Sequence, residues 1–294
     1  MAKAEIGIIG GTGLGDYLIR EHGGESVYLE TPFGIPSCAP ILADWDGHRV
    51  AFIARHGEGH LLNPSVVPYR ANIWALKSLG VHSVIASGAT GSLREEMEPG
   101  HLVICDQVID KTFRRPSTFF DSGVAVHVEM AEPFCPRLRS LLVDCGESVE
   151  THVHDRGTYV CMEGPQFSTR AESQLHRSWG GDLIGMTCMP EAKLAREASL
   201  CYALIGLPTD YDSWRPHDTE QPAQALLAEI MGNLKTATDN AVKLMHVAVS
   251  RLADSGRHCH CGSALELAVW SPREAISVET RARLGLLLDP VEVQ

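Results

Sequence analysis

The chain has 294 residues, with 25 lysines and arginines against 37 acidic residues, and its formal charge of −12 excludes nucleic acid as a natural partner. At 44% apolar and 21% charged the composition is that of an ordinary globular protein. No window approaches the ~18 uninterrupted apolar residues of a membrane span.

The start, MAKAEIGIIGG, lacks the apolar centre and cleavage site of a secretion signal, and the expectation is a soluble, cytoplasmic protein. Nine cysteines, an odd count without framework spacing, read as buried thiols in a reducing compartment.

In chain order, the run Glu5–Ile9 predicts a buried strand that stops at Gly10-Gly11-Thr12-Gly13-Leu14-Gly15. Glycines there let backbone N–H groups converge on an anion, and Thr12 adds a hydroxyl. The turn is neither a P-loop nor a strict G-x-G-x-x-G. A second strand, Arg49–Ala54, feeds Arg55-His56-Gly57-Glu58-Gly59-His60, where Arg55 offers a bidentate fork for phosphate and His56 a donor or partial charge near neutrality. His56 and His60 stand at i, i+4 like a zinc helix, but Gly57 and Gly59 argue against a helix.

A helix over Val67–Leu79 precedes a strand at Ser83–Ser87, which opens into the small-residue loop Ser87-Gly88-Ala89-Thr90-Gly91-Ser92. Further strands are predicted at His101–Cys105, Thr158–Met162, Asp182–Met186 and Leu200–Pro208, and further helices at Pro136–Val149, Thr169–Trp179 and Pro190–Leu200. The last strand leads into Thr209-Asp210-Tyr211-Asp212-Ser213-Trp214. Two carboxylates there are either solvated loop acids or readers of a ligand.

From Gln221 to Ala253 apolar residues at spacings of three and four, including Leu226, Leu227, Ile230 and Leu234, predict one long helix. Strands alternating with helices imply a single α/β domain, residues 1–252, with a mostly parallel mixed sheet flanked by helices. Residues 254–294 form a helical C-terminal appendage. It carries His258-Cys259-His260-Cys261, four soft ligands in four residues. Neighbouring positions rarely point at one tetrahedral metal and the sequence places no second pair nearby, so no metal is expected. A Cys259–Cys261 disulfide would close a small strained ring, and ordinary thiols are the default.

Taken together, GIIGGTGL at Gly7–Leu14, TPFG at Thr31–Gly34, ARHGEGH at Ala54–His60, YRANIWALKSLG at Tyr69–Gly80, GSLREE at Gly91–Glu96, AEPFCP at Ala131–Pro136, EGPQFSTRAES at Glu163–Ser173, GMT at Gly185–Thr187, PEAKLAREA at Pro190–Ala198 and TDYDSW at Thr209–Trp214 resemble the S-methyl-5′-thioadenosine phosphorylases, in the trimeric branch of the purine nucleoside phosphorylases. The resemblance implies a cytoplasmic pentosyltransferase of purine and methionine salvage that acts on a nucleoside with inorganic phosphate as co-substrate. It implies no cofactor and no metal.

Position by position, the resemblance implies that Thr12, Arg55, His56 and the Ala89 backbone hold phosphate. Met186 lies against the ribose, with Phe167 and Ser168 beside the purine and Thr187 and His60 as further substrate-binding residues. Asp210 and Asp212 read the 6-amino edge, with Asp210 the catalytic acid. Leu226 and Leu227, with Ala223, line an apolar 5′ pocket, into which His127 reaches from a neighbouring subunit of the trimer.

Gly88 departs from the family pattern, where a hydroxyl residue is common; one phosphate contact is either missing or replaced by Thr90 or water. Pro68 and Arg70 depart as well. Within the family, a 6-oxopurine or methylthioinosine phosphorylase is the alternative. Further off stand a purine-binding sensor without catalysis and a nucleotide-dependent dehydrogenase using Gly10–Gly15 with Glu30.

Overall fold

The computed structural model describes residues 4–11, 14, 24–216, 222–253 and 256–289. Continuous apolar runs make strands that are covered on both faces. Strand β1 (Ile6–Gly10) is buried throughout. Thr12, Gly13 and Gly15 lie outside the described residues. After β2 (Glu25–Ser26) and the alternating β3 (Ile41–Trp45), which the sequence reading missed, β4 (His48–Ala54) is buried from Val50 onward. Helix α1 (Tyr69–Ser78) leads to β5 (Ser83–Ser92), then β6 (Leu102–Ile104) and β7 (Gln107–Lys111) follow.

Helix α2 (Pro136–Asp144) starts with Pro136 in its first turn, where a missing N–H costs nothing. Next come β8 (Val153–His154) and β9 (Thr158–Met162). Helix α3 (Arg170–Ser178) begins with a capping box: Thr169 Oγ1 accepts from the Glu172 N–H at 3.2 Å and the Glu172 carboxylate accepts from the Thr169 N–H at 2.8 Å. The order closes with β10 (Leu183–Gly185), α4 (Cys188–Glu197), β11 (Cys201–Tyr211), the 31-residue α5 (Ala223–Ala253) and α6 (Val278–Leu288). Among the described residues no helix is long and apolar enough to cross a membrane.

The strands form a single mixed sheet of 11 strands, ordered β2-β3-β4-β1-β5-β10-β9-β7, with β11 joined to β5 and β6, and β6 to β8. Strand β1 lies parallel between β4 and β5, and β11 runs parallel to β5. The carboxyl ends of β1, β4, β5 and β11 therefore share one edge, where ligands bind in open parallel sheets. Helices α1, α4 and α6 bury Ile73, Leu76, Leu194, Leu284 and Leu287 in one core cluster, whereas α2 and α5 bury Leu138, Leu142, Leu244, Met245 and Val249 in another. The tail is sewn in as well, through a bridge between Val126 and Val269 and the Trp270 N–H donating to the Ala125 carbonyl at 3.0 Å.

Two sequence expectations need correction. Residues 87–92 and 209–211 are not loops; they extend β5 and β11, whose pairing continues with Asp210 opposite Gly91 and Tyr211 opposite Ser92 after an irregularity between Pro208 and Asp210. Small residues permit this, since a Cβ on Gly91 would sit 3.0 Å from Ile184 Cγ2 and 3.2 Å from Asp212 Cβ. Helix 136–149 also stops at Asp144 and tightens into a 3-10 turn over Cys145–Ser148.

Candidate active site

At the shared strand edge the chain encloses a cavity of about 490 Å³, lined at one end by Gly11, Arg55, Gly88 and Thr187. Arg55 directly follows β4 and is fully buried. Its fork faces a protein carboxylate: Nε donates to Glu191 Oε2 and Nη2 to Glu191 Oε1, both at 2.8 Å, while Nη1 donates to the Ser87 carbonyl at 2.8 Å. Tyr202 donates to the same Glu191 Oε1 at 2.7 Å. Burial opposes the guanidinium charge, but Glu191 outweighs burial and holds Arg55 above its ordinary range. The bidentate grip expected for phosphate is thus already taken, and of the five guanidinium N–H groups only the two outer ones remain for a ligand.

His56 also differs from expectation. Burial, then the charge of Arg55, push its pKa down to about 4, so the ring is neutral near neutrality. Its Nδ1 lies 2.8 Å from the Leu62 carbonyl, which only accepts, so Nδ1 carries the proton and Nε2 is an acceptor. His60 stacks on His56 with ring centroids 4.2 Å apart, in a 3-10 turn (Glu58–His60) broken by Gly59 at φ 69°. That geometry removes the zinc-helix alternative.

Asp210 and Asp212 line the cavity farther along β5, with Asp210 opposite Gly91, three residues beyond Gly88. Thr209 Oγ1 donates to Asp210 Oδ1 at 2.7 Å, and Asn233 of α5 donates to the Thr209 carbonyl at 2.9 Å. Asp212 is buried, and its Oδ2 has no hydrogen-bond partner among the described residues; Thr90 Oγ1 is buried in the same condition. Buried polar atoms in native proteins are almost always paired, and these two, unlike atoms in the same condition on Asn72, His176, Arg177 and Thr238, belong to residues that line the cavity.

Ser213 and Trp214 latch this segment to the start of α3: Ser213 Oγ donates to the Ser168 carbonyl at 2.9 Å, and the Trp214 N–H to Ser173 Oγ at 3.0 Å. Of the predicted substrate residues, His60, Phe167, Met186, Thr187 and Leu226 line the cavity together with the Ala89 strand. Phe167 is 82% exposed, as at a mouth. Ser168 sits behind the lining, with Oγ donating to Met162 Sδ at 3.7 Å. Leu227 is exposed and not part of the lining; Ala223 and His127 are likewise exposed outside it. His127 instead packs on Trp270 of the tail, with centroids 4.6 Å apart.

An anion end, an acid end and an apolar flank in one cavity narrow the family, and residues 5–250 match the Phosphorylase superfamily. The chain belongs to that superfamily. It is 46% identical to the S-methyl-5′-thioadenosine phosphorylase of Geobacter sulfurreducens over 96% of this chain and 97% of that protein. It is 48% identical to the S-methyl-5′-thioadenosine phosphorylase of Hyperthermus butylicus over 91% of this chain and 96% of that one.

Among solved structures, a methylthioadenosine phosphorylase from an antarctic soil metagenomic library superposes with a TM-score of 0.91 at 45% identity, covering 98% of this chain and all of that one. A double mutant of the Schistosoma mansoni adenosine/methylthioadenosine phosphorylase in complex with adenine gives 0.83 at 32% identity, covering 92% and 100%. The chain is a member of the methylthioadenosine phosphorylase family, and membership removes the dehydrogenase alternative. Glu30, its would-be ribose acid, is exposed away from the cavity lining.

Several residues that build this phosphorylase site escaped sequence reading. Glu191 lies in the family-like run Pro190–Ala198, but its pairing with Arg55 spans 136 positions. Arg115 has no motif around it; it is buried, donates to the Glu163 carboxylate at 3.3 Å and carbonyl at 2.6 Å, and to the Met186 and Met189 carbonyls at 2.5 and 2.6 Å. It thereby holds the Met186 segment in place. Near Gly88, Thr187 Oγ1 would lie 3.4 Å from an added Cβ, so a hydroxyl from a neighbouring segment stands beside that position.

Proposed function

We propose that the chain catalyses phosphorolysis of S-methyl-5′-thioadenosine to adenine and 5-methylthioribose 1-phosphate, acting as a pentosyltransferase in purine and methionine salvage. The observation that carries this reading is one cavity that brings together a cationic, hydroxyl-rich end and an unpartnered buried carboxylate oxygen, Asp212 Oδ2. A carboxylate accepts from the 6-amino group of adenine and repels the oxygen of a 6-oxopurine, which disfavours a 6-oxopurine or methylthioinosine phosphorylase.

In the reaction a phosphate oxygen attacks the anomeric carbon of the ribose while the bond to purine nitrogen breaks, and the leaving adenine takes up negative charge. Fixing both reactants in line replaces an encounter by a near-attack geometry. The outer N–H groups of Arg55, the hydroxyls of Thr90, Thr187 and Thr12, and the Ala89 backbone hold phosphate. His56 Nε2, an acceptor, takes the hydrogen of a protonated phosphate oxygen, an arrangement that favours the monoprotonated anion over a fully ionised one. Asp210, having taken up one proton from solvent before the chemical step, delivers it to the purine ring as the bond breaks and is left as the carboxylate, a role typically worth ~10²–10⁴-fold. Met186 packs on the sugar and Phe167 on the base.

The chain works as a homotrimer in the cytoplasm. His127 reaches the neighbour's 5′ pocket, and the appendage from residue 254 supports it. Inorganic phosphate is the second substrate, and the chemistry calls on no organic cofactor.

Adenine release from methylthioadenosine, followed with and without phosphate, is the test. Release that depends on phosphate and falls by at least ~10²-fold in Asp210→Asn supports the reading. Release without phosphate indicates a hydrolase, and tight binding without any release a purine sensor.

A further inference from the structure

Four of the nine cysteines, drawn from three separate stretches of the chain, converge outside the cavity lining. Cys135 is the N-cap of α2, Cys201 opens β11, and Cys259 and Cys261 come from the tail. Their sulfur atoms all lie within 4.8 Å of one another, with Cys201 Sγ 3.3 Å from Cys259 Sγ. Every cysteine is a free thiol. Cys135, Cys201 and Cys261 are buried, and Cys259 is half-buried, which leaves one side open to solvent.

Tetrahedral zinc with Zn–S bonds of ~2.3 Å sets its four sulfur atoms about 3.8 Å apart, within the observed spread. A disulfide would join only two of them, at ~2.05 Å, and would leave the other pair unexplained. Four sulfur donors select a thiophilic tetrahedral cation over magnesium or calcium. The surroundings suit the charge of such a centre, because zinc with four thiolates is a dianion. Arg137 Nη2 lies 4.0 Å from Cys201 Sγ and Arg196 Nη1 4.0 Å from Cys261 Sγ, each as a donor.

We propose that Cys135, Cys201, Cys259 and Cys261 bind one structural zinc ion, the thiol protons leaving to solvent as the four Zn–S bonds form. The ion clips the tail to the sheet and to α2. The same tail runs on to Val269 and Trp270, which hold the strand of His127, so the clip also fixes that segment.

The test is the zinc content of wild-type protein purified without added metal, by elemental mass spectrometry and by release with a mercurial reagent. About one zinc per chain is expected, lost in the Cys259→Ser, Cys261→Ser double variant, which alters the tail rather than the sheet. Independently of any variant, metal-stripped wild-type titrated with cobalt should develop the intense visible absorption of tetrahedral cobalt thiolate. Its melting temperature should rise with zinc but not with magnesium. Absence of stoichiometric metal and of that absorption overturns the proposal, whether peptide mass spectrometry then finds four alkylatable thiols or disulfide-linked pairs. None of these measurements depends on turnover, so they stand apart from the proposed reaction.

Discussion

Arg55 and Glu191 form a buried ion pair with 0% and 1% side-chain exposure, and that arrangement decides what substitutions at Arg55 report. Arg55→Ala leaves the Glu191 carboxylate buried and uncompensated, a loss of ~3–5 kcal/mol in unfolding free energy. Replacing both partners, as Arg55→Met with Glu191→Leu, should recover most of that stability in denaturant unfolding while phosphate KM stays high. If the double variant binds phosphate normally, Arg55 is structural only. Gly88 offers a milder probe, since a Cβ there would meet Thr187 Oγ1 at 3.4 Å, an ordinary contact distance. Gly88→Thr should fold normally and lower phosphate KM, because it adds a hydroxyl donor beside the anion end.

At the level of elements, α5 changes its task along its length. Its apolar residues from Ala237 to Leu252 are buried in the core, whereas Leu226, Ile230 and Leu234 line the cavity. Burying an unpaired hydroxyl costs roughly 1–3 kcal/mol, so this apolar wall favours a 5′-methylthio group over a 5′-hydroxyl. Substituting Leu226→Asn with Ile230→Asn should shift kcat/KM from methylthioadenosine toward adenosine by about tenfold or more, a shift worth ~1.4 kcal/mol. Equal losses for both nucleosides would place the 5′ group elsewhere.

For the molecule as a whole, stability should decline in acid from a definite point. His56 and His154 have folded pKa values of about 4 against an ordinary 6.5, with burial the first cause in each and neighbouring cations or histidines the next. His154 sits in a cluster with His101 and His152, with His101 Nδ1 3.1 Å from His154 Nε2. Below pH 6.5 the unfolded chain takes protons that the folded chain refuses, so stability is full above 6.5 and falls as pH drops toward about 4. Glu163, lowered from 4.5 to about 2 by hydrogen bonds from Ser65 and the Phe113 and Arg114 N–H groups that outweigh its burial, extends the loss through the more acid range. Melting temperature followed across this range should fall, and His154→Gln should make the first part of the fall shallower.

Continuous apolar runs, glycine turns and the three-and-four spacing of α5 are local signals, and they alone determined the α/β class, the central strands, the main helices and the cavity edge to which Arg55, Ala89 and Asp210 belong. Short or alternating strands such as β3, β7 and β8 stayed hidden, because few residues carry their pattern and pairing partners supply the rest. Only the folded chain decided that Arg55 is held by Glu191, that Arg115 anchors the Met186 segment and that four cysteines meet. Apart from the closely spaced Cys259 and Cys261, these join residues 58 to 136 positions apart, and charge pairing or sulfur proximity over such spans leaves no periodicity in the sequence to read.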